Sequence, residues 1–147
     1  MYYGVMKRVM VFGTFDIVHP GHLSFFRQAK KLGTYLIVVA ARDKNSKQVK
    51  SRWPKNNEKS RTAALRKVKI VDKAILGSKT YNFYRTIRTY KPDIIALGYD
   101  QRPSTWQLKK DLKRHRINNI QIVRLRPYKP SIYKSSKLLN LDSKARP

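Results

Sequence analysis

Residues 7–41 read KRVMVFG, TFDIVHPGH, LSFFRQAKKLG and TYLIVVAA in turn. Lys7–Gly13 is an apolar, β-branched run that ends in glycine, which predicts a short buried strand. Leu23–Leu32 spaces its apolar residues for a helix. Pro20 before it and Gly33 after it are the punctuation a helix needs. Thr34–Ala41 is continuously apolar, the mark of a strand covered on both faces. Strand, helix, strand within 35 residues is a βαβ unit, and βαβ units build parallel sheets.

The rhythm continues outward. Arg42–Asn57, basic and rich in Asn and Ser, reads as a loop. Glu58–Val68 reads as a helix and Lys73–Leu76 as a strand. Asn82–Tyr90 predicts a helix that Pro92-Asp93 ends, and Ile94–Gly98 (IIALG) another buried strand. Ser104–His115 predicts a helix with Ser104 as cap and Trp106, Leu108 and Leu112 on one buried stripe. Ile120–Leu125 is a strand, Pro127–Pro130 a loop, and Ser135–Leu141 the start of a final helix. The expected fold is α/β, a doubly wound five-stranded parallel sheet in a single domain spanning residues 1–141, with a tail at 142–147. Such sheets bind ligands beyond the carboxyl ends of their strands, where strand order reverses.

The bulk properties set bounds. The chain has 147 residues, 41% of them hydrophobic, with 9 Tyr, 5 Phe and 2 Trp, enough for one packed core. The absence of cysteine removes disulfides, thiol nucleophiles and thiolate metal sites. No apolar run reaches the ~20 residues that span a bilayer, and no signal peptide is read at the N-terminus. The expected location is cytoplasmic. Lys and Arg total 34 against 8 Asp and Glu, a net charge of +26. Such a chain attracts polyanions, with steep salt dependence. Composition alone therefore favours nucleic-acid binding, but no RNA- or DNA-recognition motif accompanies it.

The chemistry concentrates in Gly13–His22 (GTFDIVHPGH), between the first strand and the first helix. A helix start offers backbone N–H groups and a positive dipole end to an anion. His19 and His22 at i and i+3 add imidazole donors there. Gly21 leaves room for close approach of a phosphate. Gly13 and Thr14 make a tight exit from the strand. A metal reading of the two histidines lacks a third ligand nearby, so no metal site is assigned to side chains.

The segment GTFDIVHPGH resembles the signature of the cytidylyltransferase-like nucleotidyltransferases. VVAARDKNSKQVKSR is similar to the lysine-bearing loop after their second strand. Arg61, VDKAILGS, KPDIIALGYDQ and YKSSKLL fall in the family's order. The resemblance implies a Rossmann-like sheet and transfer of a nucleotidyl group to a phosphate-bearing acceptor. VDKAILGS, LGYDQ and the SSK ending look most like the archaeal-type FAD synthetases, which are FMN adenylyltransferases. The implied substrates are ATP and FMN, with Mg²⁺ accompanying ATP. Family members often form dimers, so a homodimer is an expectation.

Carried over residue by residue, the resemblance implies catalytic roles for His19, His22, Lys50 and Arg126. Gly13, Thr14, Phe15, Gly21, Asp100, Ser135 and Ser136, with His22, would bind the nucleotide. Asp16, Trp106 and Tyr128 would meet the acceptor. Two other readings stay open. Glycerol-3-phosphate cytidylyltransferases share the first motif but end in RTEGIST-T, where this chain has RPYKPSIYKSSK. A nucleic-acid-binding protein without catalysis would use the charge alone.

Overall fold

The computed structural model describes residues 5–80 and 82–127. Five strands and five helices alternate: β1 (Arg8–Gly13), α1 (Pro20–Lys31), β2 (Tyr35–Ala40), α2 (Asp43–Lys50), α3 (Glu58–Arg66), β3 (Lys73–Leu76), α4 (Phe83–Tyr90), β4 (Ile94–Leu97), α5 (Thr105–Arg114) and β5 (Gln121–Arg124). All five strands are parallel, in the order β3-β2-β1-β4-β5. Strand order reverses between β1 and β4, so their carboxyl ends frame the crevice where such a sheet takes ligands.

Alternation along β1 divides the core. Val9 and Val11 point to one face, where Phe26 and Ala29 of α1 and Leu65 of α3 pack. Met10 points to the other, against Ile87 of α4 and Leu108 and Leu112 of α5. Helices on both faces explain the unbroken apolar run of β2, whose Leu36–Ala40 are all buried.

Three expectations are corrected. The stretch Arg42–Asn57 contains the two-turn helix α2. No apolar stripe marks it, because its inner face is polar: Asn45 Nδ2 donates to the Ser78 carbonyl (2.9 Å), and the hydroxyls of Ser46 and Thr14 share a hydrogen bond (2.8 Å). Ser51, with φ at 61°, ends it. Helix α1 starts at Pro20, ahead of Leu23, because His19 caps it. Trp106 leaves the Leu108–Leu112 stripe and is 68% exposed. Two residues are about 200° of helical rotation, so Trp106 and Leu108 take opposite faces of α5. The Lys110 ammonium lies 4.9 Å from the indole centroid instead. The predicted final helix and the tail lie outside the described residues.

One buried cation fastens the crevice wall. Arg61 on α3 is 1% exposed. Its guanidinium donates to the carbonyls of Asn56 (3.0 Å), Thr14 (2.7 Å) and Ala41 (2.7 Å) and to the Asp43 carboxylate (2.7 Å). It thereby joins the loops that follow β1 and β2 to the segment before α3. Replacing Arg61 by Met would strand three carbonyls and a carboxylate together. Losing one side of a buried charged pair costs about 3–5 kcal/mol, so Arg61→Met is expected to lower urea-unfolding stability by that order. A loss below 1 kcal/mol would show that the guanidinium fastens nothing.

Candidate active site

A cavity of about 980 Å³ opens at the carboxyl ends of β1 and β4. Its polar end is built on the turn from β1 into α1. Phe15 sits there with φ at 52° and is 6% exposed. A Cβ on Gly13 would stand 2.6 Å from the Phe15 ring, so only glycine lets that ring fold back. The ring then meets His22 edge-on at 5.3 Å between centroids and packs on Phe26 at 5.2 Å. The two histidines stack at 3.9 Å.

The imidazoles are neutral by environment. His19 Nδ1 accepts the Gly21 N–H (3.1 Å), so the neutral His19 ring carries its proton on Nε2. Burial lowers its pKa. Burial also pushes His22 down to about 3; the neighbouring His19 and Lys50 act in the same direction and the Ile17 carbonyl opposes. His19 Nε2 and His22 Nδ1 are buried without a partner. A buried polar atom without a partner costs about 1–3 kcal/mol. Two such atoms, side by side at a helix start, form a place for an oxygen-rich ligand.

The other expected residues distribute as follows. Thr14, Gly21, Lys50, Asp100 and Arg126 line the same cavity. Lys50 is exposed as a residue, yet desolvation lowers its ammonium pKa. Arg52 and Arg61 add to this, while Asp16 and Asp100 oppose it. The Arg126 backbone is bracketed by Gln28 of α1, whose Nε2 donates to its carbonyl (3.0 Å) and whose Oε1 accepts its N–H (2.9 Å). Asp16 is also at the cavity, but its carboxylate accepts the backbone N–H groups of Lys55 (2.8 Å) and Asn56 (2.9 Å). It clasps the chain before α3. Trp106 is not among the cavity walls. Tyr128, Ser135 and Ser136 lie outside the described residues.

The apolar end was not anticipated. Phe12, Val39, Phe83 and Ile87, from β1, β2 and α4, wall it. The signal was available in the second face of the β strands, but the sequence expectation for the acceptor was Asp16, Trp106 and Tyr128. Asn45 and Ser46 were missed with α2.

Among the described residues, the carboxylates that line the cavity are Asp16 and Asp100. No group of three or more metal-ligating side chains occurs among the described residues. That donor set suits a cation carried in by a polyphosphate, not a cage of protein ligands. No helix among the described residues is long and apolar enough to cross a membrane.

Paired imidazoles stand at a helix start, at the switch point of a doubly wound sheet, where such folds take anionic ligands. The cytidylyltransferase-like family profile matches residues 10–140, and the chain belongs to that family of nucleotidyltransferases. Among its relatives is the FAD synthase of Ferroglobus placidus, 44% identical over 121 residues, 82% of this chain and 77% of that protein. The FAD synthase of Archaeoglobus profundus is 43% identical over 131 residues, 89% of this chain and 82% of its own. A crystal structure from Thermoplasma volcanium, described as a lipopolysaccharide core biosynthesis protein, superposes with a TM-score of 0.79 at 41% identity. It covers 84% of this chain and 98% of its own.

The buried histidine makes stability pH-dependent. Above pH 6.5 His22 is neutral folded and unfolded, so its shift contributes nothing. Between 6.5 and about 3 the unfolded chain binds a proton that the folded chain does not. Stability therefore falls as pH falls through that window, by up to about 1.4 kcal/mol per pH unit from this group. Urea unfolding from pH 7 to pH 4 is expected to show the decline, and His22→Gln to flatten it by about one proton's worth. An identical slope in the variant would contradict the assignment.

Proposed function

We propose that this chain is an FMN adenylyltransferase, which transfers AMP from ATP to the phosphate of FMN and yields FAD and pyrophosphate. The observation that carries the reading is one cavity whose lining combines the two imidazoles with apolar side chains, among them Phe12 and Phe83. FMN has the matching parts, a dianionic phosphate and a flat apolar ring. Phe12, Val39, Phe83 and Ile87 supply walls for the ring. Aromatic contact there would contribute about 1 kcal/mol beyond burial. Curated relatives bearing the name FAD synthase support the same substrates. Glycerol 3-phosphate, small and polar, would leave those apolar walls without a partner.

The FMN phosphate is already an anion, so no general base is needed. Its oxygen attacks the α-phosphorus of ATP in line. A new P–O bond forms, the bond to the bridging oxygen breaks, and its electron pair leaves on pyrophosphate. The protein's work is positioning and charge stabilisation. His19 Nε2–H donates to a phosphate oxygen, and His22 stands stacked beside it at the same helix start. Gly13, Thr14, Phe15 and Gly21 shape the turn that lets the phosphates approach. Lys50 reaches the phosphates from the end of α2 and Arg126 from beyond β5. Ser135 and Ser136 would bind the outer phosphates, and Tyr128 would meet the acceptor. Asp16 acts on position, through the 55–56 segment. Mg²⁺ entering with ATP would offset charge on the leaving pyrophosphate, and Asp100, on the cavity wall, would hold its water shell or the nucleoside.

The direct test is to incubate protein, FMN, ATP and MgCl₂ and separate the flavins by chromatography. FAD and pyrophosphate are expected in equal amounts. Absence of FAD, with CDP-glycerol formed from CTP and glycerol 3-phosphate, would overturn the acceptor while keeping the chemistry. His22→Ala should lower kcat by about 10²–10³, the usual cost of one transition-state donor, with a smaller change in ATP affinity. A variant with near-normal kcat would remove His22 from the mechanism. Lys50→Ala should act mainly on the KM for ATP.

A further inference from the structure

The loop 98–103, between β4 and α5, supplies one side of the cavity, with Tyr99, Asp100 and Arg102 among its walls. It is short, and it is wired in an unusual way. Arg124 ends β5, the edge strand beside β4. Its guanidinium turns inward under the loop. Nη1 donates to the Gly98 carbonyl (2.7 Å) and to the Gln101 carbonyl, and Nη2 to the Pro103 carbonyl (3.2 Å). Three carbonyls of six consecutive residues thus converge on one cation. Gln101 completes the wiring: its Oε1 accepts the Gly98 N–H (3.0 Å) and its Nε2 donates to the Phe12 carbonyl (2.7 Å) at the end of β1. The loop is thereby fixed to both strands that frame the switch point.

Carbonyls do not gather around a point unaided, since their dipoles repel. A planar guanidinium with five donors in a fixed fork can hold them, whereas an ammonium on a flexible stem satisfies fewer. Arg124 has no place on the cavity wall itself. Its effect on a ligand must pass through the loop it holds.

We infer that Arg124 is a positioning residue for the nucleotide: by gathering the Gly98, Gln101 and Pro103 carbonyls it sets the loop that presents Tyr99 and Asp100 to the adenosine part of ATP. The inference rests on the FMN adenylyltransferase reading for its substrates. The nucleotide is the affected substrate because the loop adjoins the phosphate end, where Asp100 and Lys50 feel each other's charge. Phe12, Val39, Phe83 and Ile87 lie on β1, β2 and α4, and none of the Arg124 hydrogen bonds goes to those elements.

The experiment compares wild type with Arg124→Met, Arg124→Lys and Gln101→Leu below their melting temperatures, with folding verified by circular dichroism. Steady-state FAD synthesis gives kcat and both KM values, and calorimetry gives the affinity for ATP–Mg²⁺ without FMN. Arg124→Met should raise KM for ATP and weaken ATP binding about tenfold or more, the scale of one lost hydrogen bond to a charged group. KM for FMN should stay within about twofold and kcat within about threefold on the same scale. Arg124→Lys should lie between, and Gln101→Leu should follow Arg124→Met. Unchanged ATP parameters in Arg124→Met would overturn the inference. So would a uniform loss that tracks the unfolded fraction, or a rise confined to KM for FMN. If the wild type makes no FAD, the substrate reading fails, and the calorimetric ATP affinities alone decide for or against Arg124.

Discussion

Everything at the crevice depends on a guanidinium that water does not reach. Arg61 holds the Thr14 carbonyl, and Thr14 precedes the residue with the left-handed backbone, Phe15. The Phe15 ring then sets the edge against which His22 stands. A cation in a core is costly unless each donor finds an acceptor. Here the acceptors are the Thr14 and Ala41 carbonyls just past β1 and β2, the Asn56 carbonyl before α3, and a carboxylate from the start of α2. Arg124 repeats the device across the switch point, on the loop after β4. The sheet is thus an apolar platform, and two guanidiniums sculpt the loops on either side of its opening.

The same physics explains the few acids in a chain of net charge +26. Asp93 accepts the backbone N–H of Arg8 (2.8 Å), and Asp72 that of Leu36 (2.7 Å), at the entries to β1 and β2. Asp43 and Glu58 cap each other's helices, each carboxylate accepting the other's backbone N–H (3.1 and 3.0 Å). Glu58 also pairs with Arg42, and Asp43 with Arg61. Asp16 clasps the 55–56 segment. Asp16, Asp43, Glu58, Asp72 and Asp93 thus each accept a backbone N–H. The exposed faces carry lysine and arginine, which favours association with any polyanion, its own triphosphate substrate included.

Much of this was legible in the sequence. Each of the five strands came within about a residue of its observed ends; for β1, β2 and β4 the reason is that burial on both faces writes a continuous apolar run. The cap Ser104 was legible too, and the segment Gly13–His22 contributes to the cavity lining. What escaped follows one rule. Helix α2 is held by Asn45, Ser46 and Asp43 through polar contacts, which leave no apolar period. Trp106 looked like core by composition, and helical geometry turned it outward. Asp16, next to the histidine turn, looked like a ligand for substrate, but its acceptors are satisfied by main chain. Arg61, Arg124 and Gln101 act on carbonyls distant in sequence, and a carbonyl has no letter in the sequence. Polar wiring between loops is a property of the folded backbone and can be read only there.

The central claim is that the fold removes charge from the histidine pair, so that neutral imidazoles, with the His19 Nε2–H free to donate, meet the phosphates. The direct measurement is an NMR titration of the two imidazoles, with ring ¹⁵N shifts to assign tautomers, in the free protein. The account predicts that His19 holds its proton on Nε2 at neutral pH and that His22 stays unprotonated well below pH 6.5, down toward 3. Both rings titrating near 6.5, with mixed tautomers, would contradict it, since the turn built by Gly13, Phe15 and Arg61 would then not desolvate the site it encloses.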